Sequence, residues 1–145
     1  MPGALSLKAL LLKALLIFLF LLGMAMNVMS ETKNIDNEEL QNLIDSGVPV
    51  IDVREEFEWI KTGIIEGSHL ITFFDSAGNY DVTKWMLRLK EIATYSDPLI
   101  LICRSGRRSG IVAEYLSENE SYVTVYNVKN GITGWIKSLN KTKRM

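Results

Sequence analysis

Leu99-Ile100-Leu101-Ile102-Cys103-Arg104-Ser105-Gly106-Arg107-Arg108-Ser109 passes from an apolar run of strand length to the chain's only cysteine, then into a loop of Arg, Ser and Gly. The residues beyond turn helical, with Val112, Tyr115 and Leu116 spaced for one face. A sulfur at that junction faces loop N–H groups, the positive end of a helix and up to three guanidinium groups, all of which favour an anion. The thiolate is the reactive form of cysteine, and such surroundings bring a thiol pKa from about 8.5 into the ~3.5–7.5 range. A lone cysteine ending an apolar run can also be a small core hydrophobe. The six residues after Cys103 are three arginines, two serines and a glycine, poor core material, so the segment reads as a nucleophilic sulfur in an anion cradle.

Working outward, apolar runs alternate with amphipathic stretches. Asp36 and Glu39 have capping-box spacing at the start of a helix that buries Leu40, Leu43 and Ile44 and stops at Gly47. Val48–Val53 reads as a buried strand with Pro49 tolerated near its start. Glu55–Lys61 reads as a short helix near the surface with Phe57 and Ile60 at helical spacing, which leaves the placement of Trp59 open. His69–Thr72 is a short strand, and Asp75–Tyr80 a turn-rich loop. Val82–Ala93 is a helix with Trp85, Met86, Leu89 and Ile92 inward. Arg107–Glu118 follows as a helix, Val123–Tyr126 as a strand, and Ile132–Leu139 as a helix carrying Trp135 and Ile136. This alternation predicts an α/β fold with a mainly parallel sheet covered on both faces. In such sheets the reactive site lies at the carboxyl ends of the strands, where Cys103 falls.

The first thirty residues differ from the rest. Lys8 and Lys13 are their only charged side chains, followed by apolar Ala14–Leu22 and a small-residue exit that offers cleavage after Ala25 or Ser30. That is the layout of a secretory signal. The alternative is an N-terminal membrane anchor, since Ala14–Met29 falls only slightly short of the ~17–25 apolar residues a spanning helix needs. The signal reading is preferred and predicts an exported protein, in a bacterium periplasmic. Residues 31–34 read as a polar linker and 141–145 as a solvated basic tail.

Without the leader, 14 basic residues face 17 acidic ones, and no basic patch of nucleic-acid size appears. One cysteine precludes an internal disulfide, and with a single histidine, His69, neither a zinc site nor an organic cofactor is expected. His69 reads as a structural histidine.

Three segments together resemble a single rhodanese domain, a sulfurtransferase module, over about residues 35–140. Val50-Ile51-Asp52-Val53-Arg54-Glu55 is similar to the family's first motif, and Cys103–Ser109 matches its active-site loop. Asn130-Gly131-Ile132-Thr133-Gly134-Trp135 resembles the glycine–tryptophan motif opening the last helix. The resemblance implies a rhodanese-like, mainly parallel five-stranded sheet with helices on both faces. It also implies that the Cys103 thiolate takes the outer sulfur of a small anionic donor (thiosulfate or polysulfide) as a persulfide. A thiol or protein-cysteine acceptor, or cyanide in the test tube, then removes it.

Arg104, Ser105, Gly106, Arg107, Arg108 and Ser109 form the substrate loop on this reading. Arg104 and Arg107 are candidates to hold the donor, Arg108 to do so or to fold inward as a brace. Gly106 supplies loop geometry closed to other residues, and Ser109 serves as helix cap or substrate contact. Asp52 and Arg54 read mainly as a structural ion pair, the alternative being that Arg54 orients the loop. The chain departs from the family at Gly63–Ser68, where Ile64 stands for a histidine and Glu66 for a proline. Two other functions fit the architecture: a phosphatase or arsenate reductase, and a sulfur carrier or docking module without turnover. The four residues between Cys103 and Arg108 are one fewer than phosphatases use, which favours a sulfur-sized ligand.

Overall fold

Leu99–Ile102 lies in the middle of the sheet with every residue fully buried. The structure, a computed structural model, describes residues 6–23 and 30–145, with no side chains described for 19–23. In chain order the elements are α1 (Leu7–Gly23), β1 (Glu31–Ile35), α2 (Asn37–Asp45), β2 (Val50–Asp52), α3 (Glu56–Thr62) and β3 (His69–Leu70). They continue with α4 (Val82–Lys90), β4 (Leu99–Ile102), α5 (Arg107–Asn119), β5 (Thr124–Val128) and α6 (Gly131–Lys137). The strands form one five-stranded sheet in the order β1-β5-β4-β2-β3, every pairing parallel, as expected for an α/β chain of alternating elements.

The two-residue period of a strand splits β4 between two cores. Leu99, Leu101 and Cys103 face one way and pack with Trp85, Met86 and Leu89 of α4 and Val112, Ala113 and Leu116 of α5. Ile100 and Ile102 face the other way and pack with Leu40 of α2 and Ile132 and Trp135 of α6. The helix starts follow local chemistry. Asp36 accepts from the Glu38 and Glu39 amides at 2.9 and 3.0 Å, while Glu39 accepts from the Asp36 amide, closing the capping box at α2. Gly47, at φ 83, ends that helix in the left-handed conformation.

Several elements differ from the expectation. The segment 31–34, read as a linker, belongs to β1, in register with β5 from Glu31↔Thr124 to Ile35↔Val128. Its polar residues suit an edge strand, where one side of the ladder meets solvent. On α3 the inward residue is Trp59, while Phe57 and Ile60 are 60% and 66% exposed. In the last helix Ile132 and Trp135 are buried, while Ile136 is exposed. The tail is not simply solvated. Lys143 and Ile64 exchange backbone hydrogen bonds at 2.8 and 3.0 Å, Thr142 Oγ1 donates to Thr62 O, and Trp135 Nε1 donates to Lys141 O.

Both departures from the family pattern meet this tail: Ile64 is buried against it, and Glu66 pairs with Lys143 Nζ at 3.0 Å. The large apolar residues of α1 from Leu7 to Phe18 lie exposed. Among the described residues no helix is long and apolar enough to cross a membrane, and residues 24–29, which carry most of the expected cleavage region, lie outside the described residues.

Candidate active site

Asp52 of β2 pairs in register with Ile102 of β4, so the loop beginning at Cys103 leaves the sheet beside Val53 and Arg54. The alternation along β4 turns the Cys103 side chain toward α5, and the residue is 1% exposed. Two groups donate to its sulfur among the described residues: the Gly106 amide at 3.1 Å and the Ser109 hydroxyl at 3.2 Å. The cradle is therefore more enclosed than expected, and a side-chain hydroxyl stands beside a single amide where a run of amides was anticipated.

Close approach of two glycines sets the loop. Gly106 has φ 90, and a Cβ there would overlap the Lys129 carbonyl. Gly131, φ 55, would drive a Cβ into the carbonyls of Cys103 and Arg104. Without those side chains, the loop and the turn before α6 lie against each other. The first amides of α6 are free of intrahelical partners. Ile132 N donates to Cys103 O at 2.9 Å and Thr133 N to Arg104 O at 3.1 Å. The glycine–tryptophan motif thus holds the cysteine loop from behind. Beside it opens a cavity of about 400 Å³ lined by Ser105, Asn130, Thr133 and Lys137.

The three arginines separate by environment. Arg104 and Arg107 are exposed and take part in no ion pair among the described residues. Arg108 turns away to grip Glu58 of α3 with two hydrogen bonds, Nη1 to Oε2 at 2.8 Å and Nη2 to Oε1 at 2.6 Å. Burial alone would push the Glu58 carboxyl up. The hydrogen bonds from Arg108 and the Glu55 amide outweigh burial and hold it below the usual carboxylate range. Ser109 is not a cap, since Gly106 holds the N-cap position of α5. It is fully buried, and its Oγ lies 2.7 Å from Asn127 Oδ1 as well as against the sulfur.

Asp52 and Arg54 are both fully buried. Arg54 Nη2 meets Asp52 Oδ2 at 2.6 Å and Gly63 O at 3.0 Å, and Nη1 meets Thr62 Oγ1 at 2.7 Å. The pair fastens the end of β2 to the end of α3 and, among the described residues, makes no hydrogen bond to the cysteine loop. His69 sits exposed on the edge strand β3, level with Ile51. Among the described residues no cluster of metal-ligating side chains occurs.

Sequence reasoning missed Glu58 and Asn127. Glu58 does carry a local signal, the capping box with Glu55, and Asn127 is a polar residue inside an otherwise apolar strand. Neither signal names its partner.

This arrangement has relatives. Residues 36–138 match the model of the rhodanese-like domain. A rhodanese-like domain-containing protein 17 of Arabidopsis thaliana is 30% identical over 116 residues, covering 74% of this chain and 72% of the relative. The thiosulfate sulfurtransferase GlpE of Pseudomonas fluorescens is 27% identical over 107 residues, 74% of this chain and 87% of GlpE. Among solved structures, a rhodanese-related protein from Thermoplasma volcanium superposes with a TM-score of 0.58 at 28% identity, covering 75% of this chain and 95% of that one. With the sheet order, the cysteine loop and the backing glycine turn already in place, the match over most of its length makes this chain a member of the rhodanese-like domain family.

Proposed function

We propose that the chain is a sulfurtransferase that carries sulfane sulfur on Cys103. The carrying observation is the pair of donors on one sulfur, the Gly106 amide and the Ser109 hydroxyl, at the carboxyl end of the central strand. In the proposed cycle the Cys103 thiolate attacks the outer sulfur of thiosulfate. The sulfur–sulfur bond of the donor breaks, sulfite leaves with the bonding pair, and a Cys103 persulfide forms. A thiophile then attacks the terminal sulfur and the thiolate returns; with cyanide the product is thiocyanate. No general base is needed when the nucleophile is already ionised. The name of the Pseudomonas relative supports thiosulfate as donor. Exposed Arg104 and Arg107 supply charge for an anionic donor, and a small thiol or a protein cysteine is the cellular acceptor.

The engagement of Arg108 with Glu58 favours sulfur over phosphate, because a phosphatase needs that guanidinium free for its oxyanion. We also propose export, with the apolar leader acting as signal or as anchor to a bacterial inner membrane.

Intact-mass analysis of the exported protein after exposure to thiosulfate tests these readings. The expected result is a gain of about 32 Da, one sulfur atom, that cyanide removes with thiocyanate formed over many turnovers. Cys103→Ser is expected to abolish both. A serine variant with undiminished turnover overturns the nucleophile, and loading without turnover replaces the enzyme by a carrier. The same spectrum reads the mature N-terminus.

A further inference from the structure

Asn127 lies on β5, 5% exposed, and the sulfur-transfer scheme gives its side chain no role. Its orientation is fixed chemically. Nδ2 lies 3.1 Å from Gly106 O and 2.8 Å from Asn34 Oδ1, and a backbone carbonyl can only accept, so the amino group must face that side. Oδ1 then faces Ser109 Oγ at 2.7 Å. The Ser109 hydroxyl has one proton and two acceptors within reach, Asn127 Oδ1 and Cys103 Sγ at 3.2 Å.

We propose that Asn127 is a positioning residue whose side-chain carbonyl lets the Ser109 hydroxyl follow the charge on Cys103. The inference rests on Cys103 being the reacting sulfur. With the thiol protonated, S–H donates to Ser109 Oγ and the hydroxyl donates to Asn127, so each group has a partner. On ionisation the thiol proton goes to solvent, and the hydroxyl, keeping its own proton, swings to the thiolate. When the persulfide forms and charge moves to the outer sulfur, the hydroxyl swings back to Asn127. Asn34, on the edge strand β1, holds the amide in the orientation this needs. Asn127 thus favours the thiol and the persulfide at the expense of the thiolate, and keeps the thiolate more nucleophilic than a permanently hydrogen-bonded one.

The test is the pH dependence of iodoacetamide labelling of Cys103, read by mass. Asn127→Leu removes the competing acceptor. Gly106 O keeps its bond from the Gly110 amide at 3.1 Å and exposed Asn34 turns to water, so no buried acceptor is orphaned. The midpoint is expected to fall by about half a unit to one unit, the worth of one neutral hydrogen bond. The plateau rate of sulfur uptake is expected to fall about twofold to threefold, from lost nucleophilicity. In a Ser109→Ala background Asn127→Leu is expected to change nothing. Asn34→Ala, at an exposed position, is expected to move the midpoint the same way by less, and decides the matter should Asn127→Leu fail to fold. A midpoint that stays or rises in Asn127→Leu, or in Asn34→Ala if only that variant folds, overturns the switch. So does a shift that persists without Ser109. Labelling does not require turnover, so a protein that labels as expected but never yields thiocyanate defeats the sulfurtransferase reading while leaving the switch standing.

Discussion

Two buried polar clusters stand at the carboxyl ends of neighbouring strands, and they differ in how their protons are matched to acceptors. Around Arg54 every guanidinium N–H has a place: Asp52 takes Nε and one Nη2 proton, Gly63 O the other, and Thr62 Oγ1 and Glu58 O face Nη1. Around Cys103 a single hydroxyl proton on Ser109 faces both the sulfur and Asn127. A saturated cluster has one arrangement and resists change. A cluster with one proton for two acceptors has two arrangements of similar energy, and the charge on its neighbour selects between them. The chain places the first at the end of α3, the helix whose Glu58 grips Arg108 of the loop, and the second within the loop.

The difference breaks most sharply at Arg54. Arg54→Met leaves the Asp52 carboxylate buried and unpaired, and is expected to cost about 3–5 kcal/mol in urea unfolding. Replacing both partners with apolar residues is expected to recover most of that loss, because no lone charge stays buried. A cost near that of a surface substitution would show that Arg54 is not a support, and would reopen its role in orienting the loop.

The Glu58–Arg108 brace joins support to loop, and pH separates it from both. Glu58 is held below the ordinary carboxylate range, so its folded form binds a proton less readily than its unfolded form. Its contribution to stability is therefore complete above about pH 4.3, the usual glutamate value, and is lost as pH falls through the lower folded value. Glu58→Gln is expected to lower stability at neutral pH by about 1–2 kcal/mol and to flatten the acid limb of the stability curve. Equal acid limbs in the variant and the parent protein would remove the brace from the account.

How much of this was legible before folding depends on the range of the signal. Capping at Asp36, the stop at Gly47, the burial of Leu99–Ile102 and the geometry of Gly106 are written within a few neighbouring residues. β1 was not legible, because Glu31–Asn34 becomes a strand only through β5, some ninety residues later. The helical spacing of Phe57 and Ile60 misled for a related reason. On a seven-residue helix covered on one side, the face is chosen by what packs there, and Trp59 took it. In the site, Cys103 and its loop announce themselves by composition. Glu58 and Asn127 do not, since their partners lie 50 and 18 residues away and only the parallel order of β2, β4 and β5 brings them together.

The exposed arginines carry the smallest effect, and it sharpens the contrast with Arg108. Arg107 faces water, where an ion pair is worth up to about 1 kcal/mol and weakens with salt. If it attracts an anionic donor, Arg107→Ala is expected to raise KM for thiosulfate by up to about fivefold with kcat little changed, because charge that meets donor and transition state alike contributes uniform binding. The difference between the variant and the parent protein is expected to shrink as ionic strength rises. An unchanged KM at low salt takes Arg107 out of the donor site and leaves Arg104 as the loop arginine to test next. A fall in kcat with KM constant would place the Arg107 charge on the departing sulfite, a contact made only as the donor bond breaks.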